Sequence, residues 1–376
     1  MSIVGKKIRL HLTDEQENYC RRAAGTSRWA YNSFLARNIS QYEAWKTDNS
    51  LPKRISAYDY KKEITQLKKT SAYSWLKEIA AEVTGSSIIA AEKSFKSWWS
   101  GKSGRPKFKS QKNSILSFAI QKKNFQYTKN GCKIENLGFV RTAEPLPKQI
   151  KGSYLNPRVI YDNKYWYITF SCEEHDKREQ LSGSIGIDLG IKTLAIVASD
   201  VGNHWSYPNI NKTKEVRRLE ILLKRYQQKF SRKVPSGKNS LKARIKIQRV
   251  YRRLTNIRNN YLHQVTTEIV KTKPSRIVLE DLNVSGMLKN HHLAKAIKDQ
   301  KFYEFRTMIS YKAKKFGIEV IFVPRFFPSS KMCCKCGSLK KDLKLSDRIY
   351  HCDCCGSVID RDLNAAINLA KYQGNH

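Results

Sequence analysis

The chain has 376 residues, 40% apolar and 11% aromatic, enough for two or three cored domains and too much for a disordered protein. Lys and Arg number 71 against 32 acids, a formal charge of +39. Such an excess repels itself unless a polyanion neutralises it, which makes nucleic acid the first partner class and a membrane surface the second. No apolar run approaches the ~20 residues of a spanning helix. MSIVGKKIRL lacks a signal-peptide core, so the expected location is the cytoplasm.

Residues 5–12, GKKIRLHL, alternate and predict a strand. Thr13 and Asp14 then cap a helix with Tyr19, Ala23, Trp29, Ala30 and Phe34 on its apolar side. Residues 14–100 are expected to be largely helical, studded with Arg21, Arg22, Arg28, Arg37, Lys61, Lys62, Lys68 and Lys69, and closing on Phe95, Trp98 and Trp99. The aromatics read as core, or the segment faces nucleic acid; the density of basic residues favours the second. A Gly/Ser/Pro/Lys linker, SGKSGRPKFKSQKNS, follows over 100–114. Over 115–172, the runs ILSFAI, CKIENLGFV, PRVIYD and YWYITFSCE predict an antiparallel sheet or barrel. If the first strand joins it, the helices are an insertion. The charged loop Glu173–Gln180 marks the next boundary.

SIGIDLGIKTLAIVAS reads as two strands joined by a tight turn, with HWSYP as a third. Two long helices are expected over 211–270, broken at Val234-Pro235-Ser236-Gly237. Their seams are Val216, Leu219, Leu223, Tyr226, Phe230 and Ile247, Val250, Leu254, Ile257, Tyr261, which predicts an antiparallel hairpin. Its outer faces carry Arg217, Arg218, Lys224, Lys242, Arg244, Lys246, Arg249, Arg252 and Arg253, a one-signed surface that favours binding. RIVLEDL is a buried strand, a helix is expected near 293–316, and IEVIFVP is a further strand. The order suits a mixed α/β sheet.

Six of the nine cysteines fall between Cys333 and Cys355. Two Cys-x-x-Cys-Gly knuckles, Cys333/Cys336 and Cys352/Cys355, supply four thiolates for a closed structural zinc site. A disulfide pair is the rival reading, and it suits an oxidising compartment. Cys334 and Cys354 lie outside the spacing, and Cys20, Cys132 and Cys172 read as small apolar residues. Three acids stand out in an acid-poor chain. Asp188 lies within an apolar strand, Glu280 ends another, and Asp362 begins the last helix, with Asp360 as its nearest rival. Carboxylates in such places need a cation. Converging carboxylates that hold two Mg²⁺ ions, or Mn²⁺ as a substitute, suit phosphodiester cleavage.

In order and spacing, GTSRWAYN, GRPKFKS, GIDLGIKTLA, VLEDLNVSGM, FPSSKMCCKCG with HCDCCG, and DRDLNAAINLA resemble the TnpB (OrfB) family of bacterial insertion sequences, relatives of miniature type V CRISPR nucleases. The likeness covers nearly the whole chain. It implies an α/β plus β architecture, a RuvC-like nuclease of RNase H fold with an inserted zinc ribbon, preceded by a wedge β-barrel with an inserted helical recognition domain. The implied bounds are 1–12 and 114–182 for the barrel, 13–113 for the helical domain, 183–326 and 358–376 for the nuclease, and 327–357 for the ribbon. By motif, Asp188, Glu280 and Asp362 match the three RuvC acids, which would hold catalytic Mg²⁺, and Cys333, Cys336, Cys352 and Cys355 the zinc ligands. The resemblance further implies a transposon-derived guide RNA (ωRNA), double-stranded DNA cut beside a short motif (TAM), no membrane partner, and a monomer within the ribonucleoprotein. The ribbon would lie between the last strand and the Asp362 helix, so zinc loss is expected to disturb that carboxylate. The rivals are a guide-directed DNA-binding regulator without cleavage and a DNA-joining transposase. No His-hydrophobic-His pattern or nucleophilic tyrosine stands out for the latter among nineteen tyrosines.

Overall fold

The computed structural model describes residues 2–111, 114–128, 130–145, 154–174, 181–234, 237–325, 327–340, 342–344 and 347–374. Most of the charged loop Glu173–Gln180 and the break residues Pro235 and Ser236 lie outside the described residues. The chain divides into two compact units, residues 3–174 and residues 175–376 with the first two residues. Among the described residues no helix is long and apolar enough to cross a membrane.

The first unit opens with β1 (Ser2–His11) and α1 (Asp14–Thr47). Thr13 and Gln16 form a reciprocal capping box. The Gln16 amide also donates to the carbonyls of Leu137 (3.0 Å) and Phe139 (2.8 Å), tying the helix start to the sheet. The helices α2 (Ala57–Leu67) and α3 (Ala81–Trp99) follow, with a 3₁₀ segment at Ser71–Glu78 between them. The strands β2 (Ser117–Ala119), β3 (Phe125–Thr128), β4 (Gly131–Ile134), β5 (Gly138–Thr142), β6 (Leu155–Tyr161) and β7 (Trp166–Glu174) complete the unit. The sheet order is β2-β6-β7-β1-β5-β4-β3. The first strand therefore sits inside the sheet, and the helices are an insertion between β1 and β2. Strand β3 had no counterpart in the sequence reading, because its alternation of Phe125 and Tyr127 with Gln126 and Thr128 spans only four residues, the shortest run that carries the signal.

One core joins the sheet to the start of α1, with Tyr19, Cys20 and Ala23 packed among Ile8, Phe118, Val140 and Ile168. A second core lies among the helices, around Phe34, Tyr60, Leu76, Ile88 and Phe95. Burial pushes the Cys20 and Cys132 thiols up to about 12, so both are inert apolar fillers. Several basic residues read as an outer face are engaged with acids: Arg21 with Glu17, Arg22 with Glu78, Arg37 with Glu63 and Lys62 with Asp59. Exposed pairs of this kind contribute little to stability, so a phosphate can exchange for the acid at little cost.

The second unit is built on β8 (Ser184–Leu189), β9 (Thr193–Ser199), β10 (His204–Pro208), β11 (Arg276–Glu280) and β12 (Glu319–Val323), in the order β10-β9-β8-β11-β12. β8–β11 and β11–β12 are parallel, and the β8–β9 and β9–β10 pairs are antiparallel, so the sheet is mixed as expected. The helices α4 (Lys214–Ser231) and α5 (Lys238–Lys271) form the hairpin, closed by Val216, Leu219, Val250 and Leu254. The single helix expected near 293–316 is instead two, α7 (His291–Gln300) and α8 (Phe302–Phe316), after a short α6 (Val284–Met287). Lys301 separates them in a left-handed conformation (φ 56°). Lysine gives no sequence signal for that geometry, which is why the break was invisible. The strands β13 (Ile349–His351) and β14 (Val358–Asp360) pair in a small ribbon, and α9 (Arg361–Ala370) ends the fold.

Candidate active site

Two of the singled-out acids are placed by the parallel register of β8 and β11. Leu279 pairs with Ile187, so the next residues along, Glu280 and Asp188, stand side by side at the carboxyl ends of their strands. The third acid is carried in by α9, which crosses β8 at Gly186. A Cβ there would lie 2.1 Å from the Ala366 carbonyl oxygen and 2.3 Å from the Ala370 nitrogen, so only glycine admits the helix this closely. Asp188 is two residues beyond Gly186, roughly 6.6 Å along the strand. Asp362 is one turn before Ala366, roughly 6 Å along the helix. The two offsets match and carry Asp362 to the level of Asp188. Burial holds the Asp188 carboxyl well above the usual carboxylate range, and Glu280 and then Asp362 push it further. Arg361 opposes the rise, and Asp360 adds a smaller push.

The neighbouring acids are committed elsewhere. Asp360 caps α9, accepting from the backbone N–H groups of Asp362 (3.0 Å) and Leu363 (3.1 Å). Asp281 accepts from Arg306 (2.9 Å) and Arg325 (3.1 Å), and the Arg306 bond above all holds its carboxyl below the usual range. Glu280, by contrast, accepts from the hydroxyl of buried Ser329. The Ser329 carbonyl accepts from Asn368 Nδ2 (2.7 Å), which also donates to Met332 (2.6 Å). Asn364 donates to the Met332 carbonyl (2.7 Å) and accepts from the Cys334 N–H (2.9 Å). Lys371 Nζ donates to the Cys334 carbonyl (2.7 Å). Asn364 and Asn368 are buried on one face of α9 and clamp the segment 329–334 between Glu280 and the cysteine knuckles.

The sulfurs of Cys333, Cys336, Cys352 and Cys355 lie within 4.8 Å of one another. Cys333 and Cys355 are 3.7 Å apart, and Cys336 and Cys352 are 3.5 Å apart. A tetrahedral zinc with Zn–S of about 2.3 Å needs edges of about 3.8 Å, so the set fits that ion. The knuckles repeat each other: Cys333 and Cys352 donate to the carbonyls of Ser338 and Ser357 (2.8 Å each), and Gly337 and Gly356 take positive φ (75° and 66°). The Ser338 hydroxyl lies 3.1 Å from both Cys336 and Cys352, and its hydrogen bonding lowers both thiols, Cys352 to about 6. Cys334 and Cys354 stay outside the cluster, as the spacing predicts. Among the described residues this is the one tight ligand set; the mutually repelling carboxylates are not drawn together as closely. Their all-oxygen donors, three acids against the single cation Arg361, nevertheless suit a hard divalent cation.

The structure brings together the three sequence-predicted acids on β8, β11 and α9. The sequence reading missed Ser329, Asn364, Asn368 and Arg361, although the four-residue spacing of the two asparagines puts them on one helix face.

Comparison with known proteins finds family models on three stretches of the chain. Residues 302–369 match a family model described as "Cas12f1-like, TNB domain", residues 167–291 one described as "Probable transposase", and residues 1–47 one described as "Helix-turn-helix domain". Over residues 2–47 the structure has a strand and one continuous helix. A protein of Streptomyces pristinaespiralis named "Putative RNA-guided DNA endonuclease" is 32% identical over 373 residues, covering 96% of this chain and 87% of the relative. A similarly named protein of Escherichia coli K12, InsQ, is 27% identical over 96% of this chain and 90% of its own. The solved structure titled "Cryo-EM structure of the Cas12f1-sgRNA-target DNA complex" aligns with a TM-score of 0.59 at 16% identity, covering 98% of each chain, which establishes a shared fold. The chain belongs to the TnpB (OrfB) family of insertion-sequence proteins, related to the Cas12f effectors.

Proposed function

We propose that this chain is the RNA-guided DNA endonuclease of an insertion sequence, cutting double-stranded DNA beside a short TAM with a transposon-derived guide RNA. The observation that carries the reading is the convergence of Asp188, Glu280 and Asp362 on one end of a mixed sheet in a chain of net charge +39. Relatives across nearly the full length carry the endonuclease name. We read the second unit as a RuvC-like nuclease of RNase H fold with the cysteine ribbon inserted, and the first as a wedge β-domain with a helical recognition insertion.

In this reading the three carboxylates hold Mg²⁺, or Mn²⁺ in its place. Bound divalent ions supply water activation and stabilisation of the departing oxygen. The chain contributes the rest. Ser329 fixes the Glu280 carboxylate through its hydroxyl. Arg361 lies 3.3 Å from Asp362 and moderates the charge of the cluster. Zinc held by Cys333, Cys336, Cys352 and Cys355 keeps the segment 329–334 folded and does no chemistry. The basic surfaces grip the guide–target duplex through its backbone, leaving sequence choice to base pairing.

The test is a plasmid cleavage assay with the guide transcribed from the transposon end. Asp188→Ala is expected to abolish Mg²⁺-dependent cutting while guide RNA and target DNA still bind. Undiminished cutting by that variant would sink the assignment.

A further inference from the structure

The helical insertion of the first unit contains a cleft of about 510 Å³ that the cleavage chemistry does not use. Its walls come from the second half of α1 (Tyr42, Glu43, Lys46), the loop before α2 (Lys53, Arg54), the end of α3 (Phe95, Trp98, Trp99), and Arg105 of the linker. Its size is that of ligand clefts generally. Three of its wall rings belong to stacked pairs, Tyr42 with Trp45 and Phe95 with Trp99. Tyr42 and Trp45 have centroids 5.7 Å apart and planes 26° apart, and Phe95 and Trp99 are 5.2 Å and 21° apart. Trp98 lies 6.3 Å from Trp99 with its plane turned 31°. Although Phe95 is buried, Tyr42 is 38% and Trp99 46% exposed. Large rings left open beside a cavity mark a binding surface more often than a finished core.

Cations ride on these rings. Lys53 Nζ is 4.3 Å from the Trp45 centroid, Lys46 is 4.9 Å from Tyr42, Arg54 is 5.0 Å from Trp99 and Arg105 is 5.9 Å from Trp98. Against these four stands one acid, Glu43, which accepts from Lys46 at 3.2 Å. A purely apolar ligand would have no use for the cationic rim, and an acidic peptide would have none for parallel ring faces. An unpaired nucleobase with its phosphate uses both. The base stacks on a ring, which is worth more than the exposed cation–π contact it replaces. The displaced Lys or Arg then meets the phosphate.

Building on the nucleic-acid reading above, we propose that this cleft captures an unstacked nucleobase of a single strand. The shared chemistry is a planar base on a sugar phosphate, and guide RNA and the DNA strand opened by guide pairing are its two sources.

The test uses the full chain and four probes: short mixed-sequence single-stranded RNA, the same sequence as DNA, its abasic counterpart, and duplex DNA. The ring-deleting variant Tyr42→Leu/Trp99→Leu is compared with the ring-keeping Trp99→Phe by fluorescence anisotropy at elevated salt, with far-UV circular dichroism confirming the fold. The proposal expects about a tenfold loss of affinity for a base-bearing strand, no change for the abasic strand or the duplex, and retention in Trp99→Phe. Loss confined to RNA assigns the guide as the source, and loss confined to DNA assigns the opened strand. Equal loss on abasic and base-bearing strands, or none on either, overturns the cleft. Guided plasmid cleavage by the wild type, measured alongside, shows whether the endonuclease reading stands independently of that result.

Discussion

Four sulfurs and three carboxylates lie at the two ends of one short segment, Ser329–Cys334, and the chain treats them in opposite ways. The sulfurs are already gathered at zinc-like spacings, with the Ser338 hydroxyl favouring the thiolate form of two of them. The carboxylates are brought to one sheet end with Arg361 as a partial counter-charge, and burial, then the neighbouring Glu280 and Asp362, make Asp188 hold its proton more tightly than a carboxylate in water. A structural site can satisfy itself through its own backbone turns. A site that must take up and release a charged reactant is left in want of cations, at a cost to stability.

The sharpest way to break the comparison is to remove one acid. Glu280→Ala and Asp362→Ala are each expected to lower guided cleavage roughly 10⁴-fold or more, the scale at which single members of a catalytic set fail. Asp360→Ala should instead lose a helix cap, at about 1 kcal/mol, and retain measurable cutting. Equal effects of Asp360→Ala and Asp362→Ala on cleavage would erase the distinction between cap and ligand.

Next in size is the sulfur end. Cys336→Ser or chelation of zinc is expected to unfold the ribbon, since metal binding of this type is worth roughly 10–16 kcal/mol in isolated zinc modules. Cleavage should fall with it through the clamp that Asn364 and Asn368 place on the segment 329–334. Full activity in Cys336→Ser would refute that coupling.

Smaller effects probe the scaffold. Gly186→Ala forces a methyl group into the backbone of α9, and overpacking of this kind costs about 1–3 kcal/mol; cleavage should drop because Asp362 retreats with the helix. Ser329→Ala leaves Glu280 without its hydroxyl donor, and an outer partner of this kind is worth about 10–100-fold in metal affinity or activity. Titrating Mg²⁺ in the cleavage assay checks it, the prediction being a higher Mg²⁺ requirement.

Much of this was legible in the sequence because the controlling features are local. The knuckle spacing fixes the sulfurs, and the apolar strands around Asp188 and Glu280 place two acids at strand positions that are costly without a cation. The 3,4 spacing of the hairpin seam likewise survives in the packing of α4 on α5. What stayed hidden depends on partners distant in sequence. Asp281 adjoins Glu280 but is engaged by Arg306 and Arg325, while Glu280 meets Ser329. Ser329 was not singled out within FPSSKMCCKCG, and Lys301 carries no mark of its left-handed turn. The exposed pairs that Arg22 and Arg37 of the first helix make with Glu78 and Glu63 were likewise invisible, because those acids are distant in sequence.

The central claim, that the carboxylates are held in mutual repulsion to receive a divalent cation, is tested most directly by melting the wild type and Asp188→Asn with and without Mg²⁺. A carboxyl whose folded pKa is raised binds its proton more tightly in the native state than when unfolded. Stability therefore falls as pH rises from the ordinary carboxylate range through the raised pKa, where the fold gives up a proton it favours. In chelator, Asp188→Asn should melt above the wild type, by about 2–4 °C for each kcal/mol relieved. Added Mg²⁺ should raise the wild-type Tm and leave the variant unmoved. A variant that melts below the wild type in chelator, or gains as much from Mg²⁺, would contradict the account.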